Sequence, residues 1–207
     1  ESSPEFQEMI AGMPQINLDS LSKLKVKGSE LRIEALQGTK LSGLNTSSFN
    51  QTSFDDTHWP VLQQPLVWEQ QSIGELDGVV WLRKTISLPA LDLNKETILQ
   101  LSTIDDNDIT YVNGVKVGAT NQYNANRRYV VPAGVLKQGK NLIAVRVEDN
   151  GGGGGIYGNA SDVKLSIGDV VIPLQGEWKF QVESIKKTTN ENSLPSLCYN
   201  AMINPLI

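Results

Sequence analysis

Short alternating stretches of apolar and polar residues dominate the chain from about Trp59 onward. Such period-two alternation between Gly, Asn and Pro turns is typical of antiparallel strands that bury one face. About eight strands are predicted, among them residues 79–86, 97–101, 109–112, 115–117, 142–147, 163–167 and 178–182. Asn113-Gly114 predicts a tight hairpin between two of them, since both residues adopt positive φ readily. The pattern therefore predicts a mainly β fold, an antiparallel β-sandwich.

The two ends of the chain differ from this middle. Residues 4–10 predict a short helix with Ser3 as N-cap, and residues 18–36 have an ambiguous, helix-like spacing. Residues 186–192 are polar and residues 197–202 are apolar again. An insertion into a surface loop of another domain would give this arrangement. We predict a helical fragment of a flanking domain at 1–45, the sandwich at 46–185 and a return segment at 186–207.

Both termini suggest a piece of a longer chain. The first residue is Glu1 rather than Met, and the sequence stops on the apolar residues Leu206 and Ile207. Free termini are usually solvated and polar. We interpret the 207 residues as one medium-sized domain with appendages.

Composition narrows the function classes. The formal charge of −5 and the pI near 5.0 argue against binding to nucleic acid or to an anionic membrane. No apolar run approaches the roughly 20 residues of a membrane span. One cysteine, Cys198, excludes an internal disulfide and a multi-cysteine zinc site. His58 is the one histidine, so a catalytic or metal site could draw on a single imidazole as base or ligand.

An ordered series of motifs runs from Trp59-Pro60 to residue 158. Its members are residues 78–84, 104–108, 111–114, 117–118, 127–129, 131–132, 139–141, 144–147 and 156–158. The series resembles the jelly-roll domain, galactose-binding-like in fold, that is inserted into sialate O-acetylesterases. It is more distantly similar to the sugar-binding domain of β-galactosidase-type glycoside hydrolases. The tail at 199–206 resembles the return into the esterase's catalytic domain, with Asn204 where the family usually has histidine.

The resemblance implies a parent hydrolase of the SGNH type that removes O-acetyl groups from sialic acids. Its nucleophilic serine would lie before this chain, and its acid and histidine after it. Ser2 lacks the nucleophile motif, so it receives no catalytic role. The resemblance also implies a periplasmic or extracellular location, no cofactor, and the rest of the catalytic domain as a partner. Sialylated or galactose-containing glycans are the candidate ligands.

His58 follows two carboxylates, Asp55 and Asp56, which allows a base–acid dyad to be imagined. Neighbours in sequence seldom face each other, however, and the chain contains no Gly-x-Ser-x-Gly nucleophile elbow. We expect His58 to lie in a solvent-exposed loop. A minimal hydrolase that uses His58 is the least favoured hypothesis.

Residues 105–108 place three carboxylates within four positions. We expect a bend between strands in which one Asp caps backbone N–H groups and another pairs with Arg83 or Arg146. Sugar binding through Asp105 and Asp106, or a calcium site, are the alternatives.

Five consecutive glycines occupy residues 151–155. The run lacks the Gly-Lys-Ser/Thr ending of a phosphate loop. It is expected to turn over Trp81 at the rim of the sandwich or to pack on the parent's catalytic domain. Direct ligand contact is the weaker alternative.

A polar loop at 121–126 contains Tyr123, whose ring could stack on the apolar face of a sugar. Arg127 and Arg128 follow, and a guanidinium can clamp a carboxylate with two hydrogen bonds. The alternative is an exposed loop with a salt bridge to the Asp cluster. Trp81 and Tyr111 lie in predicted strands and are expected in the core.

Two main functions remain open. The first is a noncatalytic β-sandwich accessory domain of a sialic-acid-specific O-acetylesterase. The second is a stand-alone carbohydrate-binding module, which should show an exposed aromatic residue beside converging polar groups in a cleft.

Overall fold

The computed structural model describes residues 45–186, which all belong to one compact unit. The predicted helix at 4–10 and the two terminal segments lie outside these residues. Short 3-10 helices form at Thr46–Ser48, Trp68–Gln70 and Ala160–Asp162. The strands are Val61–Gln64 (β1), Gly78–Leu88 (β2), Thr97–Asp105 (β3), Asn107–Val112 (β4), Val115–Asn121 (β5), Asn126–Val130 (β6), Gly139–Asp149 (β7), Gly155–Tyr157 (β8), Val163–Ile167 (β9), Val170–Pro173 (β10) and Gly176–Ile185 (β11).

The strands form two antiparallel sheets that pack as a sandwich. The first sheet has six strands in the order β1-β11-β2-β7-β4-β5, and the second has the order β10-β9-β3-β6, with β8 also paired to β3. Asn113 and Gly114 have φ of 48° and 84°, as a tight turn between β4 and β5 requires. The predicted β-sandwich and its hairpin are confirmed.

Alternate residues of the central strands form the interior of the sandwich. Leu82 of β2 lies opposite Val145 of β7 and Phe180 of β11, and all three side chains are buried. Leu99 of β3 lies opposite Leu165 of β9 in the second sheet, and both are fully buried. Burial of each such side chain contributes about 1.5–3 kcal/mol. This apolar interior holds the two sheets together.

The other side of the six-stranded sheet, which we call the outer face, is also partly buried. Trp81 of β2 lies beside Arg146 of β7, which lies beside Ile109 of β4, which lies beside Ala119 of β5. Since neighbours across strands share a face, these four side chains form one row across the sheet.

Residues 45–60 cover one half of the outer face. The Phe49 ring centroid lies 5.8 Å from that of Trp81, in an edge-on contact, and 4.8 Å from those of Phe54 and Trp59. Tyr111 stacks against the Trp81 ring at 5.9 Å. We call this part of the sheet, with its aromatic cover, the covered half. Trp81 is thus buried as predicted, but by this cover and not by the second sheet.

Arg83 fastens the cover to the sheet. Its Nε donates to Asp56 Oδ2 at 2.8 Å, and its Nη1 donates to the carbonyl oxygens of Phe49 and Gln51. The side chain is only 3% exposed. Lys179 adds a second ion pair to Asp56 at 2.8 Å. Burial raises the pKa of Asp56, but the hydrogen bonds from Lys179 and Arg83 outweigh it and hold this pKa below its ordinary value.

Within residues 45–186, no helix is long and apolar enough to cross a membrane.

Candidate functional site

The outer face is open at the end where β4, β5 and β7 meet. Arg146, Ile109 and Ala119 form one row of its floor, and the next row consists of Glu148, Asn107 and Asn121. These residues line a depression of about 300 Å³. Residues 45–60 cover Trp81 in the same sheet, but they do not line this depression.

A second depression of about 360 Å³ adjoins the first. It shares Asn107 and Asn121 with it and continues onto the loops at the end of the sandwich. Its further lining residues are Asp106, Gln122, Tyr123, Asn124 and Asn150. We call the two depressions together the open groove, and this part of the sheet the open half. Four asparagines and one exposed aromatic ring thus converge on one cleft.

Tyr123 stands at the loop end of the open groove with 58% of its surface exposed. Hydrogen bonds from Arg127 and Tyr157 fix the backbone of its loop. Arg127 Nη1 donates to the carbonyl oxygens of Gln122 and Ala125, both at 2.6 Å, and the Tyr157 hydroxyl donates to the carbonyl oxygen of Tyr123 at 2.7 Å. A ring presented on a fixed backbone can stack on a ligand at little cost in ordering.

Arg127 itself is buried and does not reach the groove. Its side chain is 0% exposed, and its Nε donates to Asp108 Oδ1 at 2.9 Å. Asp108 also accepts hydrogen bonds from Tyr129 and Thr110. Asp108 belongs to the six-stranded sheet and Arg127 to the five-stranded one, so the pair ties the sheets together. The predicted carboxylate clamp at Arg127 is wrong, because its donors already serve the fold. The alternative was an exposed loop with a salt bridge to the Asp cluster; the salt bridge is observed, but Arg127 forms it as a buried residue of β6.

Arg128 is exposed and lies opposite Gln100 of β3. Successive residues of a strand point to opposite sides, so Arg128 faces away from the interior that Arg127 enters. It does not line the open groove. Of the five predicted binding residues, only Tyr123 and Asp106 line the groove; Arg127, Arg128 and Asp105 do not.

Asp105 and Asp106 form a coupled carboxyl pair at the β3–β4 bend. Burial and the hydrogen bond to Asp106 raise the pKa of Asp105 well above its ordinary value. Burial also acts on Asp106, but hydrogen bonds from Asp105 and from Asn150 outweigh it and lower the Asp106 pKa. The backbone N–H and the Nδ2 of Asn150 donate to Asp106 Oδ2 at 2.8 and 3.0 Å. Asp106 therefore caps a backbone N–H, as predicted.

The predicted pairing of this cluster with Arg83 or Arg146 is wrong. Arg83 pairs with Asp56, and Arg146 pairs with Glu183, while Arg127 pairs with Asp108. Within residues 45–186, no group of three or more His, Cys, Asp or Glu side chains could hold a metal ion. The geometry therefore gives no support to the calcium alternative.

Glu183 enters the outer face through a bulge. The register of β11 against β2 shifts between Val182 and Ser184, which makes Glu183 the extra residue. Its carboxylate accepts from Arg146 Nε and Nη2 at 2.8 and 2.9 Å, and from Trp81 Nε1 at 2.7 Å. The hydrogen bonds to Glu183 raise the pKa of Arg146. Glu183 thus links the two halves of the outer face.

The glycine run packs on Trp68 and not on Trp81, so that prediction was wrong. Trp68 N–H donates to Gly154 O at 3.0 Å, and a Cβ on Gly154 would collide with the Trp68 ring. Two carboxylates hold the run: Glu69 accepts from Gly154 N–H and Asp149 from Gly151 N–H, both at 2.9 Å. Burial raises the pKa of Glu69 to about 7 and that of Asp149 to about 6.

His58 lies on the surface of the loop that precedes β1, as predicted. Asp55 beside it accepts from the Thr57 hydroxyl at 2.5 Å and from the Thr57 N–H at 2.9 Å. Those hydrogen bonds lower the pKa of Asp55. Ser2, Cys198 and Asn204 lie outside the described residues.

Most of the residues that line the groove were not predicted as binding residues: Asn107, Asn121, Asn124, Asn150, Arg146 and Glu148. The first four were visible as a concentration of Asn near two predicted strand ends. Their convergence depends on the pairing of β4 with both β5 and β7, which local pattern does not reveal.

The fold and the groove define a β-sandwich domain with an open cleft on one sheet. No family model and no curated protein matches the chain. It is similar to the solved β-glucuronidase of Bacteroides uniformis, with 20% identity and a TM-score of 0.48, over 68% of this chain and 16% of that one. A glycosyl hydrolase family 2 member from Bacteroides cellulosilyticus gives 21% identity and a TM-score of 0.47, over 64% and 18%. At these levels the likenesses carry no argument about function.

This chain thus spans less than a fifth of the length of those two enzymes.

Proposed function

We propose that the chain is a noncatalytic accessory β-sandwich domain that binds a glycan in the open groove. One observation carries the proposal: an exposed ring, Tyr123, stands beside amide side chains in one cleft. A sugar offers an apolar face to an aromatic ring and hydroxyls to amides. This is the arrangement expected of a carbohydrate-binding module.

The amides of Asn107, Asn121 and Asn124 support the same function. None of the three side chains is hydrogen-bonded to another described residue. Each amide offers two N–H donors and one acceptor, which matches hydroxyl groups that both donate and accept. Because these groups are solvated and not committed to the fold, a ligand can use them without breaking internal hydrogen bonds.

The parent enzyme is a further part of the proposal. The resemblance in sequence supports a sialate O-acetylesterase whose catalytic domain flanks this one, in a periplasmic or extracellular protein. In that setting the domain would hold the neutral sugars of a sialylated glycan and so keep its sialic acid near the catalytic domain. A stand-alone carbohydrate-binding module is the alternative, and the groove would serve it equally well.

Calorimetric titration of the 207-residue chain with galactose, lactose and 3′-sialyllactose tests the glycan site. We expect binding to at least one of these sugars. Tyr123→Ala should weaken that binding about twofold to tenfold, since an aromatic contact contributes roughly 0.5–1.5 kcal/mol. Tyr123→Phe is the matched control and should bind nearly as the original chain does, because the ring face is kept. Equal binding by all three chains would contradict a stacking role for Tyr123.

The noncatalytic part has its own test. The chain should not hydrolyse p-nitrophenyl acetate or O-acetylated sialic acid above the background rate. Specific turnover that His58→Ala abolishes would overturn this part of the proposal.

A further inference from the structure

We infer that the open groove selects neutral, hydroxyl-rich sugars and disfavours sugars that carry a carboxylate. This inference rests on the proposed glycan-binding function and specifies its ligand class. It starts from the cations around the groove, because a sugar carboxylate is normally recognised by a guanidinium or ammonium group that is free to pair with it.

Arg146 is the one basic residue among the described residues that line the groove. Its Nε and Nη2 are both committed to Glu183, which is itself largely buried at 6% exposure. Its Nη1 lies 3.9 Å from Glu148 Oε2. A ligand carboxylate would therefore have to share this guanidinium with two carboxylates of the protein.

Two other cations lie near the groove, and both are also paired. Lys186 Nζ lies 2.8 Å from Glu148 Oε1 and also donates to Asn150 Oδ1. Arg127 is buried against Asp108. Each of these three basic side chains is thus already paired with a carboxylate of the chain and is not free to neutralise an incoming anion.

The carboxylates of the lining outnumber its cation. The carboxylates of Asp106 and Glu148 line the groove, against Arg146 alone, while Asp108 is a lining residue whose carboxylate is 0% exposed. Arg127 balances the charge of Asp108 and Lys186 that of Glu148, whereas Asp106 faces the asparagines with no ion pair among the described residues. Like charges within a few ångströms repel, and they do so most strongly where water is partly excluded. An acidic sugar meets a net negative wall.

Neutral hydroxyls meet no such cost. The amides of Asn107, Asn121 and Asn124 carry no formal charge and can donate or accept. The Glu148 and Asp106 oxygens can accept hydrogen bonds from hydroxyls, and such charge-assisted bonds are stronger than neutral ones. The same groups that repel a carboxylate therefore favour a polyol.

Matched sugar pairs test the inference. The full chain is titrated with lactose against 3′-sialyllactose, galactose against galacturonate, and glucose against glucuronate, by NMR at low and high salt. Within each pair that binds, we expect the neutral sugar to bind at least tenfold more tightly, with the difference shrinking as salt rises. Chemical-shift changes at Asn107, Asn121 and Tyr123 identify the groove as the site.

Glu148→Gln sharpens the test by removing one carboxylate and leaving Arg146 Nη1 and Lys186 less occupied. We expect it to improve binding of the acidic sugars about threefold to tenfold, as the loss of one nearby like charge implies. Glu96→Gln is the control, since Glu96 is exposed and lies at the end of the five-stranded sheet, away from the groove. Its carbonyl oxygen there accepts a hydrogen bond from the Gly168 N–H. This control should leave the ratio unchanged.

The outcomes separate the inference from the proposal beneath it. Acidic sugars that bind at the groove as tightly as their neutral partners overturn the charge selection and leave glycan binding standing. Failure of every sugar to bind overturns both. A preference for neutral sugars that becomes smaller in Glu148→Gln, because the acidic sugars bind more tightly to that variant, supports both.

Discussion

The covered half and the open half of the outer face are built on the same strands, yet one is sealed and the other is exposed to solvent. Trp81 and Arg146 are direct neighbours across β2 and β7, and the boundary between the halves runs between them. On one side, Phe49, Phe54 and Trp59 pack over the sheet. On the other, small and amide side chains line a groove. The sheet alone therefore does not decide where a ligand can bind; its cover does.

The two arginines of this face show the same difference. Arg83 is 3% exposed and serves Asp56 and backbone carbonyls of the cover. Arg146 is 25% exposed and serves Glu183. Both are committed to carboxylates of the chain, so neither half offers a free guanidinium. What distinguishes the open half is its uncommitted amides.

The largest expected effect comes from breaking the support beneath the open half. Arg127→Met leaves the Asp108 carboxylate buried without its ion partner, which should cost about 4 kcal/mol of unfolding free energy. Arg128→Met is the matched control; because Arg128 is exposed, it should change stability by less than about 0.5 kcal/mol. Denaturant unfolding measures both. Similar losses in the two variants would contradict the burial assigned to Arg127.

Breaking the cover comes next. Phe49→Ala removes the ring that contacts Phe54, Trp59 and Trp81, and it should cost about 3 kcal/mol. Trp81 should then become more accessible to a fluorescence quencher. A loss below about 1 kcal/mol would show that residues 45–60 do not seal this half.

The pH dependence of stability gives a smaller effect. The pKa of Glu69 is about 7 and that of Asp149 about 6, both raised chiefly by burial. The folded chain thus keeps protons that the unfolded chain releases near pH 4, so stability present at acid pH is lost as pH rises through 6 to 7. We expect a loss on the order of 1 kcal/mol between pH 5 and 8, after allowing for solvent screening.

The variants Glu69→Gln and Asp149→Asn should each flatten this pH profile, while Glu96→Gln should not, because Glu96 is exposed. Unfolding measured at several pH values distinguishes them. An unchanged slope in both variants at the glycine run would exclude these carboxyls as the source.

The smallest effect on stability is expected at the groove itself. Tyr123→Ala removes a ring that is 58% exposed, so stability should change by less than about 0.5 kcal/mol. Comparison with the stability loss of Phe49→Ala distinguishes a ring that is available to a ligand from a ring that packs in the fold. Thermal melting measures it, and a large destabilisation by Tyr123→Ala would make the ring structural.

Local pattern was sufficient for strands that alternate plainly, such as β4 and β9, and for the nearly continuous apolar runs of β2 and β7. It failed for β6, where Arg127 and Tyr129 are the buried positions. A strand whose inward residue is arginine looks like a polar loop, because a buried ion pair has no signature in a single segment. Arg127 and Arg128 are both arginines, and only the orientation of β6 decides that Arg127 is buried and structural while Arg128 is exposed.

The groove was harder to predict than the fold. Tyr123 was identified because a tyrosine within an Asn-rich loop is unusual enough to stand out. Glu148, Asn107 and Asn121 become neighbours only through the registers of β4 against β7 and β5. Likewise, the commitment of Arg146 depends on a bulge that displaces Glu183. These are properties of pairing and not of composition.

The most direct test of a ligand site in the open half is an NMR titration of the isotope-labelled full chain with lactose, with backbone amides assigned. We expect the shifts to cluster at residues 107, 121, 123 and 124, with Phe49, Phe54 and Trp81 unchanged. Shifts confined to the covered half, or none at any lactose concentration up to saturation of the solution, would contradict the account.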